Sequence, residues 1–377
     1  MTMTMATANL QLYRCTSASP VYGLKRRSFC VPKLLPLCKE RSITSKKLLP
    51  LCKERNITCS GIWGVEGLYT LGDAYFVSAP ACEGTKFKLA VQNGIYDTIG
   101  RDLVAISVNG IVTSGAKPIF FHDFFATKHL KLDLADKVTQ GIKYGCQQSD
   151  CHHLEFQMRE IPNLCDGDCD LCGIAVGIMK KDSVIDGKSI NAGDVLIGLP
   201  SNGVHSYGFS LVTSVLNESG LSLKDQLPGE SITLGEALIA PTAIYVKQVL
   251  DIISKGGVKG IAHITGGLFT HNDIFNDNIP RLLPKGLEAL IYEGSWTIPP
   301  VFKWIQEAGR IEDAEMMQTF DMGIGMVLVV SPEAADRILG EIQKTSIAYR
   351  IGEVVKDDGV RWSSEDINIS MSPSIQE

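Results

Sequence analysis

Apolar and polar positions along the chain repeat with the periods of strands and helices from about residue 61 onward. Short apolar runs predict strands over residues 74–79, 119–125, 172–178, 194–199, 323–330 and 348–355. Between them, helical spacing is clear, as where Leu134, Val138 and Ile142 share one face, and a helix that opens at Pro299-Pro300 ends at Gly309. Strands and helices in two successive groups predict an α+β protein of two domains, each a mixed sheet packed with helices.

A polar connector over residues 180–193 separates the two groups and contains Asp186-Gly187 and Ala192-Gly193 turns. It predicts a domain boundary. We therefore expect an N-terminal domain over residues 61–180 and a C-terminal domain over residues 192–357. The polar stretch 358–377 is expected to be a frayed tail.

The first 60 residues differ in character from the rest. Residues 33–46 recur almost unchanged as residues 47–60, and a single duplicated pair is too short for a repeat fold, so no structural role is expected for it. The first 32 residues contain Arg14, Lys25, Arg26 and Arg27, several Ser and Thr, and no acid. This profile is typical of an organelle transit peptide, with a disordered basic tail as the alternative.

Composition narrows the class of protein. Hydrophobic residues make up 45% and charged residues 21%, and no apolar run approaches the roughly 18 residues of a membrane span. Residues 1–58 carry 11 Lys/Arg and 2 Asp/Glu, so the remainder of the chain has a net charge of −15. An acidic body argues against nucleic acid as a partner, since phosphate contacts need clustered cations. The 11 cysteines, without a secretory signal, are expected to be reduced thiols.

The strand at 194–199 leads through Pro200 into a small polar loop before the pattern becomes helical at Phe209. The loop includes Ser201 and His205, so it offers backbone N–H groups, hydroxyls and an imidazole to a phosphate. An ordinary strand-turn-helix is the alternative.

Four stretches together resemble the aminoimidazole ribonucleotide synthetase family, also called phosphoribosylformylglycinamidine cyclo-ligases, and most closely its plant branch. They are residues 97–127, 193–211, 260–267 with 278–284, and 296–326, in the family's order. The resemblance implies that family's two-domain fold, a homodimer through first-domain strands, and location in the plastid, with the mitochondrion as a second destination. It also implies ATP-dependent closure of formylglycinamidine ribonucleotide to aminoimidazole ribonucleotide in purine biosynthesis.

The resemblance also implies roles for particular residues. It assigns a cation, Mg²⁺, to Asp102 and Asp123, and phosphate or proton handling to Ser201 and His205. Contacts with ATP would come from two Gly-bearing loops and one helix: Gly84, Thr85, Lys86, Asn109, Gly266 and Gly267.

Several positions depart from the family pattern. Ala81 stands where the family has Asp, Cys82 where it has Gly, Gly110 where it has Asp, and Gln157 where it has Glu. A methyl group cannot replace a carboxylate as a ligand of Mg²⁺. Phe156 and Arg159 are bulky in a loop that the family keeps small, residues 271–276 are extra, and the family's first strand and helix have no counterpart.

These departures leave three functions open. The first is that of an active cyclo-ligase. The second is that of a weakened or inactive relative that binds nucleotide or a partner subunit. The third is that of another superfamily member, such as thiamine-monophosphate kinase or selenophosphate synthetase. A soft-metal site is also conceivable at Cys165, Cys169 and Cys172 beside His152 and His153, but the spacing matches no well-attested zinc or iron–sulfur pattern.

Overall fold

The structure is a computed structural model that describes residues 57–58, 67–129, 131–154, 157–161, 169–266, 278–356 and 359–363. Within these residues the chain forms two mixed β-sheets with helices against them, in the order that the sequence predicts. None of the described helices is both long and apolar enough to cross a membrane. The predicted leader and most of the duplication, residues 1–56, lie outside the described residues.

The first half of the chain builds a seven-stranded sheet in the order β1-β2-β3-β7-β4-β5, with β6 also paired to β4. Its elements are β1 (Ile57–Thr58), β2 (Gly67–Leu71), β3 (Ala74–Glu83), α1 (Thr85–Asn93), α2 (Ile99–Val112), β4 (Lys117–Thr127), α3 (Leu132–Gln148), β5 (His152–His153), β6 (Gln157–Glu160) and β7 (Cys169–Lys180). Strands β5 and β6 run parallel to β4, and the other pairs are antiparallel.

Alternation on β3 sets the two faces of this sheet. Val77, Ala79, Ala81 and Glu83 are buried on the side of α2, while the even-numbered residues between them are more exposed. Helix α2 lies against β3 and β7, and α3 packs on α2. On the opposite face, side chains such as Phe76 and Val176 are half-buried among the residues that the structure describes.

The second half builds a six-stranded sheet in the order β13-β10-β12-β8-β11-β9. Its elements are β8 (Val195–Pro200), α4 (Phe209–Ser219), α5 (Leu234–Leu238), α6 (Val246–Ser254), β9 (Val258–His263), β10 (Leu287–Tyr292), α7 (Pro300–Gly309), α8 (Asp313–Thr319), β11 (Ile324–Val330), α9 (Pro332–Gln343), β12 (Tyr349–Lys356) and β13 (Gly359–Ser363). Strand β11 is buried along its whole length, as its continuous apolar run predicts.

The two halves share one hydrophobic core. A single cluster of buried residues runs from the helix side of the first sheet to one face of the second, and α1 and α2 contact α4 and α6 across the boundary. A second cluster, around Leu196, Val327 and Ile351, covers the other face of the second sheet. The continuous core fixes the position of one half against the other.

The structure corrects the sequence predictions at three places. The strand predicted to end at residue 79 continues as β3, paired with β7, as far as Glu83. Two residues of the duplication form β1, and residues 359–363 of the expected tail form β13, which runs parallel to β10. Helix α7 ends at Gly309, as the sequence predicts, and Arg310 follows it in the left-handed conformation.

The expectation of reduced thiols is wrong for one pair. Cys82 and Cys172 face each other on β3 and β7 and form a disulfide, with their Cα atoms 4.1 Å apart. Directly opposed positions on neighbouring antiparallel strands bring two Cβ atoms close enough for this bond. The bond also removes Cys172 from the soft-metal cluster considered above. Cys165 and the side chain of Cys169 lie outside the described residues.

Candidate active site

A cavity of about 190 Å³ lies at the junction of the two halves. On one side it is lined by β3 and α2, including Ala79 and Gly110, and on the other by the end of β9 and the turn that follows residue 277. Its polar wall comes from six side chains: Thr113, Tyr207, His263, Thr265, Asn278 and Arg281. A concave site between two halves with several converging polar groups is the usual setting for a small-molecule site.

His263 and Arg281 supply the nitrogen bases of the cavity wall. Burial lowers the pKa of His263 to about 4, so its imidazole is neutral at neutral pH and can accept or donate a hydrogen bond. Arg281 also lines the cavity, and a guanidinium carries a fork of N–H donors that suits phosphate or carboxylate. The cavity can therefore hold an anionic ligand on its C-terminal side.

From the sequence we predicted no role for these residues of the cavity wall. They could have been recognised as candidates, because residues 277–281 read Asp-Asn-Ile-Pro-Arg and His263 precedes the Gly-bearing stretch. Folding brings the two segments together: Thr265 Oγ1 lies 3.3 Å from the side-chain oxygen of Asn278. Gly266 has a positive φ of 79°, which glycine adopts readily, and Gly267 lies outside the described residues.

Lys86 and Asp102 lie away from this wall. Their side chains are fully buried and form an ion pair with 3.0 Å between Lys86 Nζ and Asp102 Oδ2. Lys86 Nζ also donates to the Ala240 carbonyl at 2.8 Å, and Asp102 Oδ1 accepts from the Thr242 backbone N–H at 2.6 Å. The two groups thus pair with each other in the fold, and the roles expected for Lys86 toward phosphate and for Asp102 toward a cation stay predictions.

Asn109 and His205 are bound to the same segment, residues 240–245. Asn109 donates to the Ala243 carbonyl at 2.8 Å and accepts from the Tyr245 N–H at 3.0 Å. His205 Nε2 accepts from the Asn202 N–H at 3.0 Å and from the Ala243 N–H at 3.3 Å. Both polar atoms of the Asn109 side chain therefore connect the two halves, and the contact with ATP that the resemblance implies stays a prediction.

His205 is 2% exposed and, although not glycine, has a positive φ of 53°. Burial holds the pKa of His205 well below its usual range, so the imidazole is neutral and its Nδ1 carries the proton. That nitrogen is 3.9 Å from Asp321 Oδ2, beyond hydrogen-bond distance. The proton-handling role expected for His205 therefore stays a prediction.

Ser201 donates to Asp321 Oδ1 at 2.7 Å, and the Gly323 N–H donates to the same oxygen at 2.8 Å. Burial raises the pKa of Asp321 to about 7, and the two hydrogen bonds oppose the rise. Ser201 thus points at a carboxylate rather than at His205, so the arrangement is not that of a Ser–His nucleophile pair. Ser201 orients Asp321 inside the fold.

Glu83 is a buried carboxyl that the sequence did not single out. Its burial, followed by the nearby Asp102 carboxylate, raises the pKa of Glu83 to about 8, while Lys86 opposes the rise. It belongs to the same buried polar layer beneath the cavity. Gly84 begins α1 and is exposed, and Thr85 Oγ1 lies 3.3 Å from Ser210 Oγ. These two residues are therefore closer to solvent than Lys86.

Asp123 is bound to a histidine. His153 Nε2 lies 2.7 Å from Asp123 Oδ1, and the other oxygen, Oδ2, is buried without a hydrogen-bond partner. Burial raises the pKa of Asp123, and the His153 contact opposes the rise. Among the residues that the structure describes, no group of three His, Cys, Asp or Glu side chains could hold a metal ion. Within the described residues Asp102 and Asp123 are thus engaged by Lys86 and His153, and the role toward Mg²⁺ that the resemblance implies for them stays a prediction.

Comparison with known proteins defines the class first. The family model for AIR synthase related protein, N-terminal domain, matches residues 72–179, and the model for AIR synthase related protein, C-terminal domain, matches residues 191–363. Among solved structures the chain resembles AaThiL complexed with AMPPCP and TMP, with a TM-score of 0.56 and 14% identity over 85% of this chain and 94% of that one. These matches confirm the two-domain α+β fold of the AIR synthase type.

The particular family follows from closer relatives. The chain is 64% identical to phosphoribosylformylglycinamidine cyclo-ligase, chloroplastic/mitochondrial, of Vigna unguiculata over 80% of this chain and 77% of that protein. It is 62% identical to the chloroplastic enzyme of Arabidopsis thaliana over the same shares. The chain belongs to the phosphoribosylformylglycinamidine cyclo-ligase family. The names of these relatives also confirm the predicted plastid location, with the mitochondrion as a second destination.

Proposed function

We propose that this protein is an ATP-dependent cyclo-ligase that closes formylglycinamidine ribonucleotide to aminoimidazole ribonucleotide in purine biosynthesis. The observation that carries the proposal is the cavity between the halves, whose wall combines His263, Asn278 and Arg281 in a chain of this family. An amide oxygen leaves poorly, so its phosphorylation by ATP makes it a leaving group as phosphate. The amidine nitrogen then closes the ring.

Such a reaction needs positioned donors more than a protein nucleophile. Arg281 would bind a phosphate of substrate or nucleotide, and His263 and Asn278 would orient the reacting amide. Gly84 and Thr85 at the exposed start of α1 are proposed to approach the ATP phosphates. The buried layer of Lys86, Asp102, Asn109, Ser201 and His205 would act indirectly, by holding the two halves in register.

A homodimer through the first sheet is part of this proposal. The face of that sheet away from α2 carries Tyr69, which is 48% exposed, and half-buried Phe76, Phe120, Phe124, Ile174 and Val176. An apolar sheet face of this kind is typical of an interface between subunits. The chemistry of the face therefore supports a second copy of this chain as the partner.

A weakened enzyme is the second candidate, and one observation favours it. Gly110 lines the cavity where the family pattern has a carboxylate, and no Asp or Glu is among the described residues that line this cavity. The cavity keeps its cationic side but lacks the opposing acids. We therefore expect turnover to be lower than that of family members that keep these acids.

The direct test is an assay of the purified full chain with formylglycinamidine ribonucleotide and ATP. Aminoimidazole ribonucleotide and phosphate are expected in equal amounts, with KM raised in Arg281→Ala and unchanged in the surface variant Arg337→Ala. ATP hydrolysis without ring product, or turnover of thiamine monophosphate instead, would reject the proposed reaction.

A further inference from the structure

The disulfide between Cys82 and Cys172 lies on the face of the first sheet away from α2. Cys82 shares that face with Phe76, because side chains an even number of residues apart on a strand point the same way. Cys82 is exposed and Cys172 is half-buried, so an attacking thiolate has access from the Cys82 side. Exposed disulfides are more easily reduced than buried ones and are the labile or regulatory kind.

The two strands that the disulfide joins are also held together without it. Strands β3 and β7 are paired in ten consecutive rows, from Ala74 opposite Lys180 to Glu83 opposite Leu171. The disulfide joins the ninth of these rows, so the first eight stay paired when the bond opens. Strand β7 is also paired with β4 along its other edge. The chain can therefore be reduced and oxidised again without unfolding.

The disulfide lies at the end of β3 that leads into α1. Only the row of Glu83 follows it, and Gly84 then connects the strand to the helix. Gly84 is exposed, and a Cβ added there would meet no atom of the described residues within 4 Å. The next firmly held residue is Lys86, whose side chain is fully buried in its ion pair. Opening the bond thus removes the covalent restraint on a short segment, residues 82–85.

A dithiol, either a small molecule or part of another protein, is the reductant that this arrangement suits. Its first thiolate attacks Cys82 Sγ, the S–S bond breaks, and Cys172 leaves as a thiolate that takes up a proton. The second thiolate attacks the reagent's own sulfur in the mixed disulfide and releases Cys82 as a thiol. Two electrons and two protons pass to the protein, and the reagent becomes an internal disulfide. A small disulfide re-forms the bond by the reverse exchange and leaves as two thiols.

We propose that Cys82 and Cys172 form a reversible redox site, at which a dithiol opens the disulfide in the folded chain and loosens residues 82–85 ahead of α1. This redox chemistry is independent of the reaction that the cavity carries out. Cys82 stands where the family pattern has glycine, so the site is not expected in relatives that keep the glycine.

The site is placed at one end of the sheet face that is proposed to pair with a second copy of the chain. Cys172 is four residues from Val176 on β7, which is about 13 Å along the strand. Whether the assembled protein leaves the disulfide accessible is therefore decided by experiment on the full chain.

Mapping of thiols in the full chain, purified without reductant, tests the first step. The native protein is treated with dithiothreitol, alkylated and digested, and the modification of each cysteine is read by mass spectrometry. Cys82 and Cys172 are expected to be blocked before treatment and modified together after it, and oxidised glutathione should restore the blocked state. Buried Cys146, a free thiol, is expected to be alkylated at least about tenfold more slowly than Cys82 in the reduced native chain.

Hydrogen exchange on the oxidised and reduced chain tests the second step. Amides of residues 82–85 are expected to exchange at least about fivefold faster in the reduced chain, while those of residues 75–78 in the same strand keep their rates. Cys82→Ser should exchange like the reduced chain with or without dithiothreitol. Cys146→Ala should respond to dithiothreitol like the unmodified chain.

Reduction that occurs only after the addition of urea would overturn the proposal, because the disulfide would then be inaccessible in the folded protein. Equal exchange rates at residues 82–85 in the two states would also overturn it, as would a native disulfide from Cys172 to a cysteine other than Cys82. The comparison of the oxidised and reduced unmodified chain decides even if Cys82→Ser fails to fold.

Discussion

At the scale of single residues, the polar groups that the family pattern highlights mostly hold the backbone segment 240–245. Lys86, Asp102, Asn109 and His205 reach this segment from both halves, with donor–acceptor distances between 2.6 and 3.3 Å. Buried polar groups that are hydrogen-bonded across a fold help to rigidify it and to specify one arrangement. We therefore expect these residues to hold the two halves of the chain together.

The ion pair in this layer predicts a large stability effect. Lys86→Met leaves Asp102 buried without its counter-charge, which typically costs about 3–5 kcal/mol. Urea denaturation should show a free energy of unfolding lower by that amount. Lys303→Met removes a lysine from the exposed pair with Glu307 and should change the free energy of unfolding by less than about 1 kcal/mol. If Lys86→Met lowers the free energy of unfolding no more than Lys303→Met does, the stabilising role of the Lys86–Asp102 ion pair is contradicted.

Asp321 predicts a pH dependence of stability. Its pKa is about 7 in the fold and near 4 in the unfolded chain, so the unfolded chain releases its proton first. The stabilising contribution is complete below pH 4 and is lost as the pH rises through 7. Asp321→Asn should therefore reduce the fall in Tm between pH 6 and pH 8, by roughly 2–4 °C for each 1 kcal/mol relieved. Parallel Tm profiles for both proteins would refute this assignment.

The surroundings of single polar residues could not be predicted from the sequence. Ser201, His205, Asp102 and Asp123 were recognised as special, and all four are buried polar groups in the structure. Whether such a side chain faces a ligand or another side chain depends on partners that are distant in sequence. Lys86 Nζ donates a hydrogen bond to the Ala240 carbonyl, 154 residues away, and the periodicity of neighbouring residues cannot predict a contact at that separation.

At the scale of elements, helices and central strands followed from periodicity, while sheet edges did not. Strand β11 is a continuous apolar run and α3 has a clear apolar stripe, so both were predicted nearly to their ends. Strands β1 and β13 have two and five residues, and their pairing depends on neighbours already in the sheet. Short edge strands carry too little local signal to be distinguished from loops.

Strand β13 is predicted to protect the edge of the second sheet. Truncation after residue 358 removes it and exposes β10, whose unpaired backbone groups would favour association between chains. Light scattering during heating should show aggregation at a lower temperature than for the full chain. Truncation after residue 363 keeps β13 and serves as the control. Identical behaviour of the two truncations would mean that this pairing contributes nothing.

At the scale of the whole molecule, the outer face of the first sheet predicts a homodimer. Val176→Asp puts a charge in the centre of that face and should convert a dimer into a monomer in size-exclusion chromatography with light scattering. Ile232→Asp changes a 41% exposed residue in the second half and should leave the dimer intact. A monomeric unmodified chain, or a dimer sensitive only to Ile232→Asp, would locate the interface elsewhere.

The whole arrangement also explains what the sequence could convey about function. Long matches to the family define the fold and the reaction class because they span both halves. The predicted differences at the site are single positions, since Ala81 and Gln157 lie in strands and Gly110 lies in a helix. The fold therefore carries no signal of whether the acids expected there are needed for activity.

The most direct test of the account is turnover measured for the full chain beside a variant that carries Ala81→Asp, Cys82→Gly, Gly110→Asp and Gln157→Glu. Formation of aminoimidazole ribonucleotide should be detectable for the unmodified chain and at least about tenfold faster for the variant, because lost metal-site partners typically cost 10- to 100-fold each. Equal rates would contradict the weakened site. Absence of ring product from both proteins would contradict the assignment as a cyclo-ligase.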